Sequence, residues 1–228
     1  MIPIRDTIRA ERWPLVNYGL IALCAAALWM EFAAGPDLDA FVNAHALIPT
    51  RFVKSLARRG PDVALFAPFV TSMFLHAGFV HFAGNMLFLW IFGDNVEDRM
   101  GHLGYALFYL AGGLAAGAAH VLANPGSVVP TVGASGAIAA VMGAYMVLFP
   151  ASRIETLVIV VFIVRVIPVP AVLWLGLWFV FQLLSGSMGG RAGDQGGVAW
   201  FAHVGGFAFG AGTALLLGLR GRPRRRTV

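Results

Sequence analysis

The chain has 228 residues, 59% of them hydrophobic and 12% charged, with a formal net charge of +5. Soluble domains carry about 25% charged residues, so this composition excludes an ordinary soluble globular protein and points to one embedded in a membrane. Much of the positive charge sits at the two ends, in Arg5, Arg9 and Arg12 and in the tail RGRPRRR. Arginines flanking apolar runs are the usual topology signal, so no nucleic-acid partner is expected.

In chain order, apolar runs cover residues 15–34, 79–92, 103–123, 132–149, 167–184 and 198–219. Most approach the roughly 20 residues that a helix needs to cross a bilayer. The expected fold is therefore all-α, a six-transmembrane-helix bundle forming one membrane domain over residues 15–219. It is flanked by a cytoplasmic N-terminal tail, 1–14, and a basic cytoplasmic C-terminal tail, 220–228. The first run exceeds the about 7 to 15 apolar residues of a signal-peptide core, so it is expected to be retained. Residues 35–76 form a long first loop that still carries Phe41, Leu47, Ile48, Phe52 and Leu56 at helical spacing. Such a loop is expected to pack at the outer membrane surface. The short run 157–164 ends at Arg165 and reads as an interfacial element before Pro168 and Pro170, which open the fifth span. The loops NPGSVVP and GSMGGRAGDQGG have turn chemistry and fall on the outer side in this topology. The single cysteine, Cys24, lies within a span and has no partner for an intrachain disulfide.

Small residues recur at helix-packing spacing: Gly113 with Gly117, Gly136 with Ala140, Gly206 with Gly210. Lipid gives helices no hydrophobic reason to associate, so close approach through small faces is the usual way a bundle holds together. On its own, the stretch GASG at Gly133–Gly136 reads as such a packing face.

Polar side chains inside spans are costly and are functional candidates by default. His81 and Asn85 lie in the second run, Ser135 in the fourth and His203 in the sixth. With the N-terminus inside, these three spans all run inward from the outer surface. If they begin near Val80, Val132 and Val198, then Asn85, Ser135 and His203 share one level, about 5 to 8 Å below that surface. His81 and Asn85 are four residues apart and therefore lie on one helical face. Each also has a structural reading: a histidine bonded to a backbone carbonyl, an asparagine holding helices together, a histidine capping a helix at the interface. Their common depth favours a joint role.

A serine hydroxyl becomes a useful nucleophile when a neutral imidazole accepts its proton, and the resulting tetrahedral intermediate needs donors aimed at its oxyanion. Ser135 is the candidate nucleophile and His203 the base. Asn85, His81 and the backbone N–H of Ser135 are candidates for the oxyanion hole, with Gly133 and Gly136 permitting close approach. Asp94, Glu97 and Asp98 follow Asn85 by nine to thirteen residues, which carries them about 14 to 20 Å towards the other membrane face. They do not complete a triad, so a dyad is expected.

The stretches HFAGN, GDNVEDRMG, GASG and AHVGGFAFG, in this order over residues 70–215, resemble the rhomboid family of intramembrane serine proteases. The resemblance implies a bacterial-type, six-span serine endopeptidase that cuts membrane-spanning substrates near their outer ends. By it, Ser135 is similar to the family nucleophile and His203 to its base, and His81 and Asn85 match its oxyanion-hole positions. Gly133, Gly136, Gly206 and Gly210 match the supporting glycines. The fifth span, with Trp174 and Trp178, would flank the lateral access route. Two departures stand out. The first loop lacks the Trp-Arg pair of some members, and Ala139 stands where others place an aromatic against the histidine, leaving Phe201 or Phe207 as its expected neighbour.

No metal and no other cofactor are expected. The partners implied are transmembrane protein substrates and the lipid bilayer, and the oligomeric state is not encoded in any feature of the sequence. The expected location is a prokaryotic inner membrane, with both termini cytoplasmic. Rival readings are an inactive rhomboid-like protein that binds membrane helices, a six-span transporter using the same polar cluster, and a metal site formed by His76, His81 and His203.

Overall fold

The computed structural model describes residues 2–160, 162–188 and 198–218. The C-terminal tail 220–228, Arg191 and most of the GSMGGRAGDQGG loop lie outside the described residues. Strand β1 (Ile2–Asp6) precedes helix α1 (Leu15–Ala33). Three short helices follow: α2 (Leu38–His45), α3 (Pro49–Arg59) and α4 (Val63–Thr71). Then come α5 (Phe79–Met100), α6 (His102–Ala123), α7 (Ser135–Leu148), strands β2 (Arg153–Val160) and β3 (Ile163–Pro170), α8 (Ala171–Met188) and α9 (Trp200–Leu216). By length and composition, two of the described helices, α1 and α6, qualify as membrane spans. Helix α5 is as long as α6 but ends in a charged segment, and α7 and α9 are shorter.

Helix α7 is the axis of the bundle. Every residue from Gly136 to Tyr145 is buried, and α5, α6, α8 and α9 pack around it. Its contact with α9 is made backbone to backbone. A Cβ added at Gly206 would fall on the carbonyl oxygen of Gly136, one at Gly210 on that of Ala140, and one at Gly143 on that of Phe207. Small residues spaced by four on both helices thus produce the close crossing that lipid itself does not drive.

At the opposite end from Ser135, Glu97 of α5 accepts the N–H groups of Val16 (2.9 Å) and Asn17 (2.7 Å). A carboxylate there satisfies orphan donors in the first turn of α1 and complements its dipole. Asn17 in turn donates to Leu89 O (3.1 Å) and accepts from the Tyr105 hydroxyl (2.8 Å), which ties α1, α5 and α6 together. The acids that were too far from Ser135 to form a triad therefore have structural work: Asp98 also accepts the N–H groups of Glu11 and Arg12.

Three expectations are corrected. The fold is mostly helical but not all-α, because β2 and β3 pair antiparallel and β1 near the N-terminus adds a third strand, in the order β1-β2-β3. The run 157–164 is the distal half of the β2–β3 pair, with Leu157 opposite Val166 and Val160 opposite Ile163. Residues 2–6 of the expected tail pair with β2, placing Ile2 opposite Leu157. Helix α8, expected as the fifth span, accordingly begins at Ala171 instead of Ile167: Pro168 and Pro170 belong to β3, and the Ala171 N–H is held by Ser152 O at 2.9 Å. Helix α7, expected as the fourth, begins at Ser135 instead of Val132. Thr131 bridges to Leu47, Gly133 has φ +128°, and its N–H bonds Ser72 O at 2.9 Å. A residue other than glycine is strained at that φ.

The first loop is largely helical. Asp62 caps α4 by accepting the Ala64 N–H (3.4 Å), and Leu47, Phe69 and Val121 form a small core joined by Phe52. This core fixes the loop on the end of α6.

Candidate active site

Ser135 is the first residue of α7, held there by the extended approach through Gly133. His203 lies in the first turn of α9. Because α7 and α9 touch through Gly136 and Gly206, the residues just before those glycines are brought to the same end of the contact. Ser135 Oγ and His203 Nε2 are 2.7 Å apart, a hydrogen bond. The two side chains meet although their positions along the helices differ: Ser135 opens α7, whereas His203 is the fourth residue of α9. The non-helical lead into α7 brings Ser135 to the side chain of His203.

His81 and Asn85 project from α5 into the same cavity. The His81 ring lies against Gly133, where a Cβ would come within 2.8 Å of Cε1, so only glycine leaves the imidazole room beside Ser135. The Ala77 N–H donates to His81 Nδ1 (3.3 Å), which leaves Nε2 to carry the ring proton of the neutral form. Asn85 is buried, and its Nδ2 has no hydrogen-bond partner. A buried donor left without a partner costs about 1–3 kcal/mol, which makes this amide a candidate donor to a group bound in the cavity. Gly136 is closed in by Ala116, and Gly206 and Gly210 by α7.

The cavity has a volume of about 750 Å³. Its walls include Ser135, His203, His81, Asn85, Trp178 and Gln182. It is bordered by α5, α7, α8, the start of α9 and the segment before α7, and α5 and α8 approach each other through Phe88 and Trp174 (ring centroids 5.7 Å) and through Phe92 and Trp174 (6.3 Å). His76, in the segment before α5, stacks edge-on against His81 at 5.3 Å. Burial and the neighbouring His81 push its pKa down to about 4, so His76 is neutral at physiological pH. The described residues contain no group of three His, Cys, Asp or Glu side chains arranged to hold a metal ion.

Two side chains of α8 meet His203 that the sequence does not assign to it: Gln182, and Trp178, expected only beside the access route. Nδ1 of His203 is 2.6 Å from Oε1 of the buried Gln182 on α8. The Trp178 ring, one turn earlier on α8, lies 5.7 Å from the imidazole at 34°. The expected supports, Phe201 and Phe207, are replaced in that role. Phe207 backs Trp178 at 6.1 Å, and Phe201 is directed towards Gly186. The signal for Gln182 is present in the sequence: it is a polar residue inside an apolar run, four positions after Trp178 and therefore on its face.

Fold and cavity together define a helical membrane protein in which a serine and a histidine meet within the bundle. A family model described as the Rhomboid domain matches residues 65–220, and the chain belongs to the rhomboid family. It is 31% identical over 146 residues to Rhomboid protein 1, mitochondrial, of Saccharomyces cerevisiae, covering 62% of this chain and 39% of that one. To Rhomboid protease GluP of Bacillus subtilis it is 33% identical over 132 residues, 54% of this chain and 24% of the relative. To Putative rhomboid protease YdcA of the same organism it is 30% identical over 139 residues, 60% and 64% of the two chains. The matched portion is therefore less than two thirds of each relative's length. Membership in the family makes this an integral membrane protein; with mitochondrial, chloroplast and bacterial relatives, it does not assign one membrane.

Proposed function

We propose that the protein is an intramembrane serine endopeptidase that hydrolyses peptide bonds in or near the outer end of transmembrane segments of single-span proteins. The observation that carries this reading is the 2.7 Å contact between Ser135 Oγ and His203 Nε2 at a cavity that also receives the unpartnered Asn85 amide. The six long helices, α1 and α5 to α9, are read as six spans with both termini in the cytoplasm of a prokaryotic cell.

Ser135 Oγ attacks the scissile carbonyl carbon while its proton passes to His203 Nε2. The new oxyanion is met by Asn85 Nδ2, by His81 Nε2–H and by the Ser135 N–H, which as the first of α7 has no intrahelical acceptor. The C–N bond breaks, and His203 returns the proton to the leaving amine. Water then attacks the acyl-enzyme through the same two side chains and releases the second product. Substrate reaches the cavity between α5 and α8, past Trp174 and Trp178.

The test is cleavage of a single-span substrate by the purified protein in detergent, compared with Ser135→Ala and His203→Ala, together with labelling by a serine-directed phosphonate. Both variants are expected to melt like the parent and to lose cleavage, and only chains retaining Ser135 take the label. Cleavage retained by Ser135→Ala overturns the serine mechanism, and a chain that neither cleaves nor labels fits the helix-binding or transporter readings instead.

A further inference from the structure

We propose that Gln182 is the positioning residue of the Ser135–His203 pair: its side-chain carbonyl fixes the neutral His203 tautomer that can act as a base. The inference rests on the reading of that pair as nucleophile and base. It goes further by assigning to an uncharged residue of α8 the place that an acid takes in a catalytic triad.

A neutral imidazole has one proton and two nitrogens to carry it. If the proton sits on Nε2, the nitrogen 2.7 Å from Ser135 Oγ has no lone pair to receive the serine proton. Gln182 Oε1 is a pure acceptor, 2.6 Å from Nδ1. It therefore favours the proton at Nδ1, which leaves the Nε2 lone pair directed at Ser135. Both partners are buried, His203 at 7% exposure and Gln182 at 5%, so bulk water competes poorly for the Nδ1–H. Trp178, on the same face of α8, constrains the plane of the ring, and Phe207 supports Trp178 from behind. Hydrogen bond and ring contact together hold the imidazole where Ala139 offers no aromatic.

Among the described residues, no carboxylate bonds His203 in place of Gln182. Helices α8 and α9 carry no Asp, Glu, Lys or Arg, and the titratable groups acting on His203 are His81 of α5 and His120 of α6. The imidazolium formed during the reaction therefore faces an amide dipole instead of a full negative charge. A carboxylate at position 182 would keep the acceptor at Nδ1 while favouring the protonated ring, and this separates positioning from packing.

The experiment compares the purified full chain with Gln182→Leu, Gln182→Glu and Ser135→Ala, measuring kcat and KM for a single-span substrate across pH, the rate of fluorophosphonate labelling, and the melting temperature. Gln182→Leu is expected to lower kcat and labelling about 10- to 100-fold, part of what a positioned base contributes, with KM within about twofold. Gln182→Glu is expected to recover most of that loss at alkaline pH and to move the acidic limb of the pH–rate profile to higher pH. Parental kcat in Gln182→Leu overturns the inference. So does an acidic limb unmoved in Gln182→Glu with both variants losing activity only as far as their melting temperatures fall. Cleavage retained by Ser135→Ala would instead overturn the dyad itself, independently of Gln182.

Discussion

At the scale of single residues, the arrangement separates groups already paired from groups kept in waiting. His203 is bonded on both ring nitrogens and His81 on one, whereas Asn85 Nδ2 is buried with no partner. An unpaired amide beside a serine is what an oxyanion would satisfy. Asn85→Ala is accordingly expected to lower kcat about 10²- to 10³-fold, the loss found when one oxyanion-hole donor is removed, with KM little changed. Steady-state kinetics in detergent measure this, and an unaltered kcat would make Asn85 a packing residue. Four of the polar side chains of this cavity, His81, Asn85, Ser135 and His203, were legible because each interrupts an apolar run, and the same rule points to Gln182. What the linear pattern could not give was direction. Whether an isolated polar residue faces lipid, a neighbouring helix or a cavity depends on helix rotation, and the Gln182–His203 bond joins residues 21 apart across two helices.

At the scale of elements, the long helices were legible because composition and length alone suffice for apolar runs. The hairpin of β2 and β3 was not. Its distal half, LVIV followed after Phe162 by IV, is apolar on both faces, so the alternation that identifies a half-buried strand is absent. The start of α7 was misplaced for a related reason: Val132 continues without a break into the apolar run that follows, and the bridge of Thr131 to Leu47, the bond from the Gly133 N–H to Ser72 O and the positive φ of Gly133 that hold this lead extended leave no mark in the hydropathy pattern. The contact of α7 with α9 was visible as small residues at spacing four, but its sharpness appears only in three dimensions. Gly210 and Gly212 are two positions apart on α9, yet a Cβ at Gly210 collides with the Ala140 backbone while one at Gly212 meets nothing within 4 Å. Gly210→Ala is therefore expected to destabilise the protein by about 1–3 kcal/mol, the usual cost of overpacking, and to reduce cleavage by moving His203 relative to Ser135. Gly212→Ala should be neutral, or stabilising by up to about 1 kcal/mol through helix propensity. Thermal unfolding of the two variants in detergent checks the pair, and effects of the same sign would show that the α7–α9 crossing is not the tight contact described.

At the scale of the whole molecule, the proposed function and the cavity together constrain which substrates would be cut. Ser135 stands at the start of a central helix only 14 residues long, about 21 Å, so the cavity is confined to one end of the bundle. A peptide bond reaches Ser135 Oγ only in extended form, yet a spanning substrate arrives with each backbone group bonded within its own helix. Giving up those bonds costs several kcal/mol per group in hydrocarbon, and much less beside a cavity that offers His81, Asn85 and Gln182 as partners. The residual cost must be reduced by the substrate. Segments with Gly or Pro near the outer end of the span unwind more readily, since these residues weaken a helix by about 1 and 3 kcal/mol relative to Ala. Replacing one such Gly with leucine is expected to slow cleavage about fivefold, and replacing a Pro more than tenfold, because 1.4 kcal/mol corresponds to a factor of ten, while binding persists. Mass spectrometry of matched substrates locates the cuts and gives their rates. Equal rates for Gly-containing and all-leucine spans would mean that unwinding is not part of the barrier. Cuts clustered at the cytoplasmic end would mean that Ser135 faces the other side of the membrane, and with it that the orientation read from the arginines at the two termini is inverted.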